Sequence, residues 1–288
     1  MDRVVNDDVF VALATRPDLQ LLEIQKVITI ELISNAKSRQ NQNHGERQLF
    51  PQLRKLVCTG EIDGLFSLLP HLTQLTHLET TILGPHVSSI DIHCPLPDIA
   101  TYCPNLQFLH IATYCPNLQF SQLECPTARE IYISPDELVE FSQALPHLEH
   151  LQFSGNHVRV PGLETVHIAK IAEALPSLKV LGLEFQCALT EAALVEVGKG
   201  CGRALTKCQL GGSYNLSNLE ESDISFPLLQ ELMLGKLVSS GSPDSTAREA
   251  ENIARQIKRV APNLECFEVM VEDSISPIVG ASFCYRCD

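Results

Sequence analysis

The sequence predicts an α/β solenoid, an arc of short parallel strands with helices on the convex side. Three observations lead there. A nine-residue phrase recurs along the chain: an apolar residue or Cys, Pro, any residue, Leu, two variable residues, an apolar residue, a variable one and another apolar one. The segments between its copies carry apolar residues at helical spacing. A chain of 288 residues with 44% hydrophobic residues has ample material for a stacked core.

The phrase first reads Phe50-Pro51-Gln52-Leu53-Arg54-Lys55-Leu56-Val57-Cys58, and returns as Cys103-Pro104-Asn105-Leu106-Gln107-Phe108-Leu109-His110-Ile111. Leu145-Pro146-His147-Leu148 and Leu175-Pro176-Ser177-Leu178 open two further copies, and Phe226-Pro227-Leu228-Leu229 and Ala261-Pro262-Asn263-Leu264 two more. Leu205 to Leu210 is a copy without the proline, and around Leu69-Pro70-His71-Leu72 the spacing slips to Leu75 and Leu78. Leucines 148, 178, 205, 229 and 264 stand 24 to 35 residues apart, straddling the upper end of leucine-rich repeats. Leu148-x-x-Leu151-x-Phe153-x-x-Asn156 matches the strand consensus of such repeats, terminal Asn included. In a strand the alternate apolar residues point into the core and the intervening ones outward. The proline cannot donate to a ladder and ends the preceding helix, so it marks the turn between helix and strand.

From the N-terminus, Asp8 to Ala14 is expected to be helical, and Val27 to Ile33, rich in β-branched residues, a strand, so that residues 1–34 form a leading helix and first strand. Ser34 to Gln48 is polar and is expected to be an exposed loop, residues 35–48 separating the leading elements from a solenoid over 49–270. Ser134-Pro135-Asp136-Glu137 is a capping box with Pro at the first helical position, followed by Leu138, Phe141 and Leu145. Glu164 to Leu175 places Ile168, Ile171 and Leu175 on one face; Thr190 opens a helix carrying Leu194 and Val197. Asp244-Ser245-Thr246 caps a helix whose buried face is Ala250, Ile253, Ile257 and Val260. Residues 271–288 are left as a C-terminal tail.

One region departs from the period. Ile99-Ala100-Thr101-Tyr102-Cys103-Pro104-Asn105-Leu106-Gln107-Phe108 is repeated letter for letter over Ile111 to Phe120, an offset of 12 residues. That is too short for a solenoid turn, so one copy is expected on the sheet and the other in an irregular connection, with the stack irregular around 99–126.

The formal charge is −14, with 35 acidic against 21 basic residues. This excludes the basic array that nucleic acid or an anionic membrane surface needs. No apolar stretch is long enough to span a membrane. Eleven cysteines, odd in number and scattered from Cys58 to Cys287 with no export signal before them, point to reduced thiols in the cytoplasm or nucleus. Cys58, Cys208 and Cys266 fall at core positions.

Signals for chemistry are weak. Gly198-Lys199-Gly200-Cys201-Gly202-Arg203 follows a helix and precedes a strand, the reverse of a phosphate loop, and reads as a helix end. Cys284-x-x-Cys287 has no second ligand pair near it and reads as two free thiols on a frayed tail. His93-Cys94 cannot share a proton, because adjacent strand residues face opposite ways. The pair Glu220-Glu221 with Asp223 reads as a solvated acidic connection. No nucleophile elbow or His-Glu-x-x-His helix occurs, so the chain is expected not to be an enzyme and to carry no cofactor or metal.

What remains is a face. The outward strand positions are Lys55, Val57, His150, Gln152, Ser154, Val180, Gly182 and Glu184 in the first copies. Lys207, Gln209, Gly211, Glu231, Met233, Gly235, Glu268 and Met270 follow in the later ones. Small and mixed-polarity residues with two methionines fit an adaptable protein-binding surface better than a small-molecule pocket.

The Pro-x-Leu-x-x-Leu-x-Leu rungs resemble the intracellular leucine-rich repeats of F-box proteins, and Ala14-Thr15-Arg16-Pro17-Asp18-Leu19 resembles the opening phrase of fungal members. The resemblance covers roughly residues 8 to 270. It implies capture of a protein substrate for a ubiquitin ligase. The residues before Arg16 lack the leucine- and proline-rich start of an F-box, so docking to the ligase adaptor is not implied. A leucine-rich regulator that inhibits or activates an enzyme partner is the alternative; a truncated or degenerate repeat protein is the second.

Overall fold

The computed structural model describes residues 7–44, 48–83, 92–93, 96–114, 131–154, 158–185, 187–221, 223–238 and 246–271, together with 277, 279 and 283. The chain divides into two compact units, the first of residues 1–133 with 154–158, the second of residues 134–153 with 159–288. Both are α/β, and in each the strands run parallel and alternate with helices.

The first unit runs α1 (Asp7–Ala14), β1 (Leu21–Ile28), α2 (Ile30–His44), β2 (Lys55–Glu61), α3 (Ile62–Leu68), a 3-10 turn at Leu69–His71, β3 (His77–Leu83), β4 (Ile92–His93), α4 (Leu96–Tyr102), β5 (Phe108–Tyr114) and β6 (Ile131–Tyr132). Strands β1, β2, β3 and β5 pair in that order, all parallel, and β4 pairs with β6. The second unit runs α5 (Pro135–Ala144), β7 (His150–Ser154), β8 (Val158–Arg159), α6 (Thr165–Ala174), β9 (Val180–Leu183), α7 (Glu191–Gly200), β10 (Lys207–Tyr214), a 3-10 helix at Leu216–Glu221, β11 (Glu231–Leu237), α8 (Thr246–Val260) and β12 (Cys266–Val269). Here β7, β9, β10, β11 and β12 pair in order and in parallel.

The recurring phrase has a definite backbone meaning. Its Leu N–H donates to the carbonyl of the residue before the proline: Leu53 to Phe50, Leu106 to Cys103, Leu148 to Leu145, Leu178 to Leu175, Leu229 to Phe226 and Leu264 to Ala261, at 3.0–3.3 Å. Each is a β-turn with Pro in the second position, where its fixed φ is already correct. Next, a single carbonyl accepts the first two strand N–H groups of the following unit. Gln20, Arg54 and Thr76 do this in the first unit, and Glu149, Lys179, Thr206 and Gln230 in the second. The sequence repeat is therefore a repeat of hydrogen bonding. The phrase leucines 53, 106, 148, 178 and 229 are all fully or almost fully buried.

The helices form as the caps require. Ser134 and Glu137 complete the capping box of α5, the Ser134 N–H donating to Glu137 Oε2 at 3.2 Å. Ile168 and Ile171 of α6, Leu194 and Val197 of α7, and Ala250, Ile253, Ile257 and Val260 of α8 are buried, as their spacing predicts. Gly198 and Gly200 lie in the last turn of α7 and not beyond it; a Cβ on Gly200 would stand 2.5 Å from the backbone of Ala172, so glycine lets α7 press against α6.

Four expectations are corrected. The first strand is Leu21–Ile28, not Val27–Ile33, because Thr29 caps α2: its Oγ1 accepts the Leu32 N–H at 3.2 Å. The polar segment 35–48 is not a loop, since helix α2 runs to His44 with Leu32, Ile33, Ala36 and Gln40 buried along one narrow stripe. The C-terminal tail is not simply frayed: Val279 and Phe283 are buried, the Phe283 ring 5.8 Å from that of Phe267 with Lys258 Nζ 5.2 Å from its centre. Cys284 and Cys287 lie outside the described residues. Finally, the duplicated decapeptide does not divide into one copy on the sheet and one off it. The first copy supplies the end of α4, the turn and the first residue of β5; the second begins inside the same strand, Ile111 to Tyr114 completing β5. Residues 115–130 lie outside the described ones.

Candidate functional site

The outward side chains of the second unit fall into rows set by the strand register. One row is His150, Val180, Lys207, Glu231 and Cys266; the next is Gln152, Gly182, Gln209, Met233 and Glu268. Cys266, expected in the core with Cys58 and Cys208, thus instead stands half-buried on the outward face, because it is at the same strand position as Lys207 and Glu231. Glu184 and Met270 lie just past the far ends of their strands and Gly211 in the second half of β10, and Ser154, the last residue of β7, falls in the first unit.

The central row is the middle of a connected polar chain that reaches into the rows on either side. His150 Nε2 lies 3.2 Å from Gln152 Oε1. Gln152 Nε2 donates to Glu184 Oε1 at 2.8 Å and to Gln209 Oε1 at 3.3 Å. Gln209 Nε2 faces only the Met233 sulfur, at 3.7 Å. Gln152 and Gln209 stand on strands two apart, and the residue between them is Gly182. A Cβ on Gly182 would sit 2.6 Å from Gln152 Cγ. The missing side chain is what lets Gln152 lie across β9 and reach β10. In the neighbouring row, Lys207 Nζ pairs with Glu231 Oε2 at 2.7 Å.

Of the sixteen outward positions expected, four are buried, three glycines and Gln209. Gly182 is buried beneath Gln152. Gly211 and Gly235 are buried by backbone, since a Cβ on Gly211 would lie 1.9 Å from the Phe185 carbonyl oxygen and one on Gly235 2.3 Å from that of Gly212. Gly212 itself has φ +119° and sits in a shift of register between Leu210 and Ser213, where β10 departs from simple alternation. Gln209 is also nearly covered, 6% exposed. His150, Gln152, Ser154, Val180, Glu184, Lys207 and Met233 are half-buried, and Glu231, Glu268 and Met270 exposed.

In the first unit, Lys55 and Val57 of β2 are half-buried on the strand face, as expected. Register puts His77 and Phe108 beside Lys55, and Glu79 and His110 beside Val57. The His77 and Phe108 rings stack, centres 3.7 Å apart and 7° from parallel. Burial, then the nearby Lys55 charge, hold the His77 imidazole below its usual pKa, Glu79 acting the other way; its Nε2 is buried without a hydrogen-bond partner. His110 Nε2 lies 3.1 Å from Ser154 Oγ, and its Nδ1 3.9 Å from Glu79 Oε1. The phrase copy at 103–111 puts Phe108 and His110 at outward positions, but the phrase does not point to His77 and Glu79, because at Leu72 it lacks its usual spacing. The alternation of Leu78, Thr80 and Ile82 holds the signal that identifies His77 and Glu79.

Five of the described thiols are not poised for chemistry. Burial pushes Cys58, Cys103 and Cys201 up to about 12, and raises Cys208 further and Cys187 as well. Such groups are poor nucleophiles at neutral pH. Among the described residues no group of three or more His, Cys, Asp or Glu is placed to hold a metal ion, and no helix is long and apolar enough to cross a membrane. A cavity of about 20 Å³ in the first unit is wholly apolar, lined by leucines 56, 65, 68, 69, 72 and 78 with Phe66, Ile82, Ile99 and Ile111.

No family model matches the chain, and no curated protein matches it. Among solved structures, the crystal structure of the Rad7 and Elc1 complex in yeast is similar over 88% of this chain and 87% of that one, at 12% identity and a TM-score of 0.32.

Proposed function

We propose that this chain is a non-catalytic protein-interaction module and that the strand face of its second unit is the binding surface. The observation that carries this is the linked chain of His150, Gln152, Glu184, Gln209 and Met233. Side chains already held by one another lose little rotamer freedom when a partner covers them, and that loss is a substantial entropic cost of making a polar interface. The face also mixes apolar (Val180, Met233, Met270), amide and charged groups without converging on a pocket, the character of a protein surface rather than of a small-molecule site. The finer reading rests on the resemblance of the repeats: the face captures substrates as part of an F-box-type ubiquitin ligase, in the cytoplasm or nucleus, with neither nucleic acid nor membrane as partner.

The test is affinity capture with the intact chain and with a Gln152→Ala, Lys207→Ala, Glu231→Ala variant, the captured proteins being identified by mass. The expected result is a set of proteins recovered by the parent chain and lost by the variant, with the variant's thermal unfolding still cooperative. Equal recovery by both chains overturns the assignment of the face. Co-recovery of a ubiquitin-ligase adaptor supports the finer reading, and its absence from a substrate-bearing capture removes it.

A further inference from the structure

We infer that the partner segment seated on the second unit's strand face is an extended peptide stretch bearing two basic residues four positions apart; the inference rests on the protein-binding reading above and specifies its chemistry. Two independent features point there. The first is charge. Glu184 on the end of β9 and Glu268 on β12 have no cationic partner among the described residues: Glu184 accepts one bond from the Gln152 amide, and Glu268 lies 3.5 Å from the Cys266 thiol. Elsewhere on the unit Lys207 is engaged with Glu231 and Lys179 with Glu149, 2.7 and 2.6 Å apart. The face therefore offers two carboxylates to incoming cations, in a chain whose formal charge is −14.

The second feature is a donor poorly matched where it stands. Gln209 is only 6% exposed, yet its amide N–H groups find only a thioether sulfur at 3.7 Å. Sulfur is a weak acceptor, and a nearly buried amide donor gains from a better one. Met233 is half-buried and its side chain has several rotamers, so it can swing aside. A carboxylate is a poor replacement, being repelled by Glu184 beside it. The neutral carbonyl of a peptide backbone fits.

Geometry then fixes the spacing. Strands in a sheet lie about 4.8 Å apart, so β9 and β12, three strand gaps apart, are separated by about 14 Å, and Glu184 stands two residues, about 7 Å, further along than Glu268, which makes about 16 Å between them; four residues of extended chain span about 13 Å, and the long stems of Lys or Arg cover the rest. An even separation also puts both basic side chains on the same side of the peptide, facing the sheet. A peptide crossing the strands obliquely, from Glu184 to Glu268, thus sets Lys or Arg against each while a carbonyl between them comes over Gln209.

The experiment is an array of random eight-residue peptides probed with the full chain, and with full-length Glu184→Gln, Glu268→Gln and Gln152→Ala, Lys207→Ala, Glu231→Ala variants. The expected result is enrichment of Lys or Arg at positions i and i+4 among bound peptides. That enrichment should fall about fivefold in a Glu184→Gln, Glu268→Gln double variant, two rim charge pairs being lost, and weaken with added salt, while its melting temperature is unchanged. Bound peptides that need the face but show no basic preference overturn this inference and leave the protein-binding reading standing. Peptides retained equally by the triple variant, or no bound peptide at all, overturn both.

Discussion

Ile99-Ala100-Thr101-Tyr102 and Ile111-Ala112-Thr113-Tyr114 are the same four residues in the same chain, and the first is the end of helix α4 while the second is the end of strand β5. The tetrapeptide itself is undecided: alanine favours the helix, and isoleucine, threonine and tyrosine the strand. Its neighbours decide. The first copy comes after Leu96-Pro97-Asp98, a proline and an acid in the opening turn, and Thr101 Oγ1 donates back to the Pro97 carbonyl at 2.8 Å. The second copy comes after Phe108-Leu109-His110, already laddered on β3, and continues that ladder with Ala112 opposite Thr81, Thr113 opposite Ile82 and Tyr114 opposite Leu83. In both settings the isoleucine reaches the core, Ile99 at 3% and Ile111 at 2% exposed. The lesson is that a short segment whose apolar side chain can be buried either way takes the conformation its hydrogen-bonding neighbours impose.

The two copies also have different C-terminal neighbours. Beyond the first stand Leu109 and Ile111, both buried. Beyond the second, the corresponding residues are Ser121 and Leu123. The turn of the first copy thus leads into a leucine that fills the core, where in sequence the second copy leads into a serine. Leu109→Ser removes that difference and has the largest effect expected in this region. It should cost about 4 kcal/mol, read from the shift in the urea midpoint.

Next in size are Ile99→Ala and Ile111→Ala. Each should cost about 2–4 kcal/mol, because both isoleucines are packed at the same time. If either proves nearly neutral in urea titration, one copy is substituting for the other and the contrast between them fails. Smaller, but sharper, is one substitution made twice. Ala100→Val should destabilise by about 0.5 kcal/mol in the helix. Ala112→Val should stabilise by about 0.3 kcal/mol in the strand. Opposite signs in the two melting temperatures are the expected outcome.

The smallest effect comes from pH at the point where the first copy meets the sheet. Phe108 stacks on His77, whose pKa is held below the ordinary histidine value chiefly by burial. The unfolded chain therefore binds a proton before the folded one does. The contribution of a neutral His77 is fully present above the unfolded value near 6.5 and is lost as pH falls from there through the lowered folded value. Urea midpoints measured across that window should decline, and less so in His77→Gln.

Much of the fold is legible in the sequence because its signals are local. Pro-x-Leu at Pro51, Pro104, Pro146, Pro176, Pro227 and Pro262 fixes a turn by the φ of one residue, and the capping box at Ser134 fixes a helix start within four residues. Helix α2 is not legible, because its polar residues outnumber the stripe of Leu32, Ile33, Ala36 and Gln40, and only packing makes that stripe count. The site is legible by alternation in β2 and β7, where every second residue is buried, and alternation fails in β9, β10 and β11. There Gly182 vanishes beneath a glutamine from the next strand, and Gly211 and Gly235 beneath backbone.

The sequence by itself determined the repeating turn, the parallel strands that come after it, the helix faces that bury against them and the residues due to share a face. These depend on contacts within a few residues or on a period. The tertiary structure decided which of two identical segments is helix and which strand. It also joined Gln152 to Gln209 across Gly182 and covered three glycines expected to be open. Those outcomes depend on register between strands dozens of residues apart, where the free energy of a side chain is set by what lies opposite it and not by what lies beside it in the chain.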